Sequence, residues 1–146
     1  MKTFAQPMPR ATQANKIIYS VISLMACATL VGCGGGQSAS SQVRQTLRRF
    51  VNDVSTRNYR ELCTTLLASN LTDKLAEIGL PCESAMARGL GGVHNPTLSV
   101  LDVDVHGRSA TAVVRASASN QGSSKVTLEL LQVGGQWRIS SLGPAR

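Results

Sequence analysis

The chain lacks any apolar run long enough to cross a bilayer as a helix, which takes roughly 20 residues. Its longest apolar-leaning stretch, Ile17 to Leu30, holds Ser20, Ser23 and Thr29 and stops short of that length. With only 2 histidines, His94 and His106, there is no His cluster at metal-ligand spacing. No nucleophile elbow, phosphate-cradling glycine loop, metalloprotease helix motif or dinucleotide fingerprint occurs either. Charge of one sign is modest too. Of the 15 basic residues, Lys2, Arg10 and Lys16 precede the apolar stretch, so beyond it the excess over the 8 acidic residues falls from +7 to +4. That balance does not require a nucleic-acid partner, and none is expected.

What is present begins with a leader. A basic stretch with Lys2, Arg10 and Lys16 precedes the uncharged run Ile17 to Leu30, and small residues follow, which is the pattern of a secretory signal. The leader reads the same whether it starts at Met1 or at Met8. The run closes on Leu30-Val31-Gly32-Cys33 and opens a glycine tract, Gly34-Gly35-Gly36. The four residues resemble the lipobox of bacterial lipoproteins. That resemblance implies a diacylglycerol on the Cys33 thiol, cleavage just before Cys33, and a mature protein held on the extracytoplasmic face of the cell membrane. Two or more acyl chains give stable attachment where one does not, because each buried methylene contributes about 0.8 kcal/mol. The other readings of these residues are a plain secretory signal with Cys33 a free or paired thiol, or an uncleaved signal anchor.

If Cys27 leaves with the leader and Cys33 carries lipid, Cys63 and Cys82 remain as a single pair in an oxidising compartment. A bridge between them is expected. A metal site and a redox pair are the rivals, but two cysteines without a nearby histidine supply too few zinc ligands, and their spacing is not that of a C-x-x-C motif.

The remainder fits one domain with a modest core. The expected organisation is a lipoprotein signal over residues 1–32, a lipidated cysteine and flexible tether over 33–42, and a folded domain over 43–146. From Gly34 to Gln42 there is no charge and no apolar residue larger than Ala, as in a flexible linker. With Ser40 or Ser41 as the cap, Val43, Leu47, Phe50, Val51 and Val54 recur at spacings of three and four, predicting an amphipathic helix to about Asn58. Its other face carries Arg44, Arg48, Arg49 and Arg57, with Arg49–Asp53 and Arg57–Glu61 at ion-pair spacing. That basic face reads either as a solvated helix surface or as one held against anionic lipid. A second helix is expected from Tyr59 to about Ala68. A short one through Leu71, Leu75 and Ile78 should stop at Gly79, and another from Pro81 should end with Arg88 and Gly89.

Beyond the loop Gly91 to Pro96 the periodicity changes to two. Strands are expected over Thr97 to Val105, Ala110 to Ala116, Val126 to Val133 and Trp137 to Leu142. A bulge belongs at Val100-Leu101, where the alternation slips phase. The separators His106-Gly107, Asn120-Gln121-Gly122-Ser123 and Gly134-Gly135 are short enough to join antiparallel neighbours. The expected fold class is therefore α+β, with N-terminal helices packed on one face of a four-stranded antiparallel meander.

This order of elements, with Cys63 in Glu61-Leu62-Cys63-Thr64-Thr65-Leu66, Cys82 in Leu80-Pro81-Cys82-Glu83, and a closing Gly-Gly hairpin before Trp137-Arg138-Ile139, resembles the nuclear transport factor 2-like cone. It is most similar to small actinobacterial lipoproteins of that group. The resemblance covers about residues 41 to 142, and it departs from the pattern where the hairpin between the second and third helices is missing or vestigial. It implies a curved sheet and a cone with room for a ligand. Enzymes of the superfamily, such as isomerases and cyclases, keep an Asp or His inside that cone, for which Asp102, Asp104, His94 and His106 are the candidates. Asp102 and Asp104 alternate with Val103 and Val105 and so should face water. His94 and His106 fall in loop and turn sequence. Arg115 and Arg138 lie mid-strand, where they would meet an anionic ligand or solvent, and Trp137 reads as core or as a pocket aromatic. The expected function is a membrane-anchored binding module without catalysis or cofactor, its partners being membrane lipid through Cys33 and a small apolar ligand or an envelope protein. The alternative is an isomerase- or cyclase-like enzyme using Asp102 or His106.

Overall fold

Ser38 caps the first described helix. In the computed structural model, which describes residues 37–144, its Oγ accepts a hydrogen bond from the Ser41 N–H at 3.3 Å, as an N-cap does. The expected signal over residues 1–32, Cys33 and the first residues of the tether lie outside the described residues. Helix α1 spans Ala39–Thr56, so residues 39–42, expected as tether, are helical, and Ser40 and Ser41 sit in the first turn. The reason is packing: Ala39 is half-buried against the core, which sets the cap at Ser38 rather than at the expected Ser40 or Ser41.

The apolar stripe of α1 points inward as its spacing requires, with Val43 and Leu47 fully buried and Val54 nearly so. The helix ends at Arg57, whose φ of 56° is left-handed. That break takes Arg57 and Glu61 off a common helix, and their expected ion pair does not form. Asp53 turns inward and is buried while Arg49 stays exposed, so the Arg49–Asp53 pair is not made either.

Helix α2, Tyr59–Glu61, runs directly into a π-helical turn, Leu62–Leu66. The Leu67 N–H reaches back five residues to the Leu62 carbonyl at 2.9 Å, as a π turn does. The expected helix thus stops before Leu67, which adopts extended backbone and bridges Ile139 in parallel. Helix α3, Ser69–Glu77, ends as expected at Gly79, where φ is +70°. Helix α4, Cys82–Leu90, follows Pro81 but continues through Gly89. Leu90 packs on a second small core of Val54, Leu62 and Leu66, and that contact carries the helix past the glycine expected to end it. Cys63 and Cys82 form the expected disulfide, with Cα atoms 6.0 Å apart, and it ties α4 to the π turn.

Strands β1 (Thr97–His106), β2 (Ser109–Ala118), β3 (Gln121–Val133) and β4 (Gln136–Pro144) form one antiparallel sheet in the order β1-β2-β3-β4. The β1–β2 register slips between Val100 and Asp102, so Leu101 is the bulged residue. Gly134 and Gly135, at φ 58° and 79°, make the two-residue β3–β4 turn in the conformation that favours glycine. One expected loop is shorter than its composition suggests and begins a residue earlier. Residues 121–124 belong to β3, with Ser124 opposite Ala116 and Gln121 opposite Ala118, because the ladder continues past the sequence's turn-rich composition and leaves only Ser119 and Asn120 to turn.

The fold is therefore α+β. Val43 and Leu47 of α1, Leu67, Ala110, Ala112 and Val114 of β2, Leu128 and Leu130 of β3, and Trp137 and Ile139 of β4 make the main core. Helix α1 approaches the sheet over β1 and β4, and Ala110 and Ala112 of β2 are buried in the same core. At about 25 cal/mol per Å² of apolar surface removed from water, such burial is the main term opposing the conformational entropy lost on folding.

Candidate functional site

The titratable candidates do not converge. Asp102, Asp104 and His106 are exposed on β1 and His94 is exposed in the α4–β1 loop. Asp104 and His106 do meet, with Oδ2 2.9 Å from Nε2. They are two residues apart on a strand and therefore share a face. Both side chains are largely in water, 63% and 77% exposed, and screening there makes such a pair worth little. Arg115 is exposed in mid-strand. Arg138 is engaged: its Nη1 donates to the Thr64 carbonyl at 2.8 Å and to the Leu67 carbonyl at 3.4 Å.

A concavity forms instead where three parts of the chain meet. It has a volume of about 170 Å³. The second half of α1 contributes Phe50, Val51 and Val54; the end of α4 and its loop contribute Leu90, Val93 and Pro96; the sheet contributes Leu98 and Ala116. No charged side chain lines it. Thr97, Ser117, Gln121 and Ser124 supply a few hydroxyl and amide groups. An apolar wall with few polar groups is the ordinary composition of a small-molecule site.

Local geometry explains why the space is open. Ala116 and Ala118 at the end of β2 add almost no bulk where Val114, two residues earlier, fills the core. The loop that forms the opposite wall is pinned in place. Asn120 Nδ2 donates to the Gly92 carbonyl at 2.6 Å, Asn95 Nδ2 donates to Ser119 Oγ at 3.0 Å, and the Ser119 N–H donates to the His94 carbonyl at 2.8 Å. The β2–β3 turn and the α4–β1 loop are thus clasped together, and Asn95 accepts a φ of 46° within that clasp, a conformation Asn tolerates.

A second hollow, about 370 Å³, lies between the first half of α1 and the β3–β4 hairpin. Its lining is mostly polar: Gln42, Gln45, Thr46 and Arg49 from α1, Thr65 from the π turn, and Gly135 and Gln136 from the hairpin, with Trp137 beneath. Thr46 Oγ1 donates to the Trp137 carbonyl at 3.3 Å. The indole ring itself is core, being 3% exposed, and its buried N–H has no acceptor among the described residues.

None of Asp102, Asp104, His94, His106 and Arg115 lines either hollow. Among the described residues there is no group of three His, Cys, Asp or Glu side chains placed to hold a metal ion. No described helix is long and apolar enough to cross a membrane. Sequence reasoning expected room for a small apolar ligand but missed which residues line the pocket, because Phe50, Val51, Val54 and Leu98 read as ordinary core and Val93 and Pro96 as loop. The one local signal was Ala116-Ser117-Ala118, a strand end too small to fill the space it faces.

No family model, curated protein or solved structure matches the chain. The site's chemistry therefore has to be read from its own residues.

Proposed function

We propose that the chain is a lipid-anchored, extracytoplasmic binding module of the nuclear transport factor 2-like kind, and that the pocket between α1, the α4–β1 loop and the sheet is where it takes its ligand. The observation that carries this reading is the uncharged apolar lining of that pocket. An uncharged ligand enters it without leaving a charge unpaired, whereas an ionised one would lose its hydration with no compensating partner. Size narrows the ligand further. An apolar protein cavity of about 150 Å³ holds benzene, so the pocket suits a single ring, a short alkyl chain or one end of a longer apolar molecule.

Anchoring through Cys33 is supported by the lipobox-like sequence, and the cone-like arrangement by helices covering one face of a four-stranded meander. The isomerase- or cyclase-like alternative draws no support from the site, since Asp102 and His106 are exposed and do not line the pocket.

The pocket is tested by thermal shift with benzene and indole as probes. Stabilisation that grows with probe concentration, and disappears in Ala116→Leu while the variant remains folded, supports it. Equal shifts for both proteins, or none for the native one, would sink it. Anchoring is tested separately by mass spectrometry of the membrane-extracted protein, which should find an acylated Cys33 at the mature N-terminus.

A further inference from the structure

We propose that the face of α1 bearing Arg48 and Arg49, midway along the helix, docks flat on anionic lipid headgroups, and that the polar hollow beside it receives one headgroup phosphate. This rests on the anchoring proposed above for the protein's position, while the surface that docks is in the described structure.

Three observations carry it. Between Ala39 and Asn52 the helix has no acidic residue, and its first one, Asp53, is buried. Arg48 and Arg49 are exposed with no carboxylate within ion-pair distance among the described residues, so the helix presents uncompensated positive charge. Arg49 also borders the hollow of about 370 Å³, together with the amides of Gln42, Gln45 and Gln136. A guanidinium ringed by amide groups supplies the donors that phosphate oxygens accept.

The reach of the chain adds the fourth. Helix α1 begins at Ala39, so only residues 34–37 separate Cys33 from the Ser38 cap. At 3.3–3.6 Å per extended residue, the five steps from Cys33 to the cap span at most about 18 Å. Arg48 and Arg49 are a further ~15 Å along the helix. A charge held farther from the membrane than a Debye length of about 8 Å would be screened. A tether of this length lets α1 lie along the surface, and in that orientation both arginines fall inside that distance.

The experiment is vesicle co-flotation of residues 34–146, which retain every core residue and the disulfide but neither signal nor acyl group. Phosphatidylcholine vesicles are compared with vesicles containing phosphatidylglycerol. Binding is expected only to the anionic vesicles and should be lost at high salt. At ~1 kcal/mol per arginine near an anionic surface, Arg48→Gln and Arg49→Gln should each weaken it about fivefold, and the pair about 30-fold. Arg115→Gln, on β2, should change it little. Circular dichroism melts confirm that each variant is folded. Equal binding to both vesicle types, or an Arg48/Arg49 double variant no weaker than Arg115→Gln, would overturn the proposal. An unacylated Cys33 in the native protein would instead remove the anchor and leave the vesicle result standing.

Discussion

Arg138 of β4 donates from Nη1 to the carbonyl of Thr64, 2.8 Å away across the fold. Thr64 lies in the π turn, so a sheet residue satisfies a carbonyl at a helix end, where a cation is favoured. An arginine that looked available to a ligand is a structural tie between β4 and the segment carrying Cys63.

Arg138→Ala should therefore destabilise the fold by about 1–2 kcal/mol, the range of hydrogen bonds from a charged donor reduced for partial exposure. Arg138→Lys should recover part of the loss, since an ammonium reaches one carbonyl but has no planar fork. Urea denaturation followed by circular dichroism measures both, and an alanine variant as stable as the native protein would rule the tie out.

The disulfide should be worth ~3 kcal/mol by the chain-entropy estimate for a loop of about 20 residues. Replacing both cysteines, Cys63→Ser with Cys82→Ser, should lower the denaturation midpoint by a corresponding amount. A reductant should shift the native protein to the same midpoint and leave the double variant unmoved.

Two neighbouring glycines should respond in opposite directions. Gly89 lies inside α4 with open space where a Cβ would stand, so Gly89→Ala should stabilise by about 0.5–1 kcal/mol through helix propensity. At Gly91 a Cβ would clash with the Ala87 carbonyl oxygen, and Gly91→Ala should cost at least ~1 kcal/mol as the backbone shifts. Thermal melts of the two variants should fall on either side of the native one.

Leu47 is fully buried in the main core, and Leu47→Ala should cost about 2–5 kcal/mol in lost transfer free energy and residual cavity. Leu142 is 48% exposed, so Leu142→Ala should cost far less. Chemical denaturation of the pair tests whether burial, rather than leucine identity, sets the penalty.

Much of this architecture was legible before any coordinates. The phase slip at Val100-Leu101 marked the bulge, Gly79 marked the end of α3, and the period-two runs gave the meander and its order. What escaped was decided by contacts between segments. Ser40 and Ser41 were the expected caps, and the burial of Ala39 moves the cap back to Ser38. Gln121 to Ser124 has the composition of a turn, yet pairing with Ala116 and Ala118 draws it into β3. The π turn leaves no periodic trace, because one extra residue per turn shifts side chains without changing their polarity.

The candidate site was less legible than the fold for the same reason. Phe50, Leu90 and Leu98 each announce burial, but not that they stop short of one another. The acidic and histidine candidates were correctly expected to face water at Asp102 and Asp104, and that exposure separates them from the pocket.

The bridge from Leu67 to Ile139, with the Ala68 N–H donating to the Ile139 carbonyl at 2.8 Å and Asn70 Nδ2 to the Ser140 carbonyl at 2.9 Å, occupies hydrogen-bonding groups on the outer border of the sheet. At the opposite border the Leu101 bulge and the charges of Asp102 and Asp104 do a similar job by disfavouring a neighbour. Recruitment of an added strand is thereby obstructed at both ends. At high protein concentration, copies would have little means of zipping edge to edge into fibrils while this short segment stays docked.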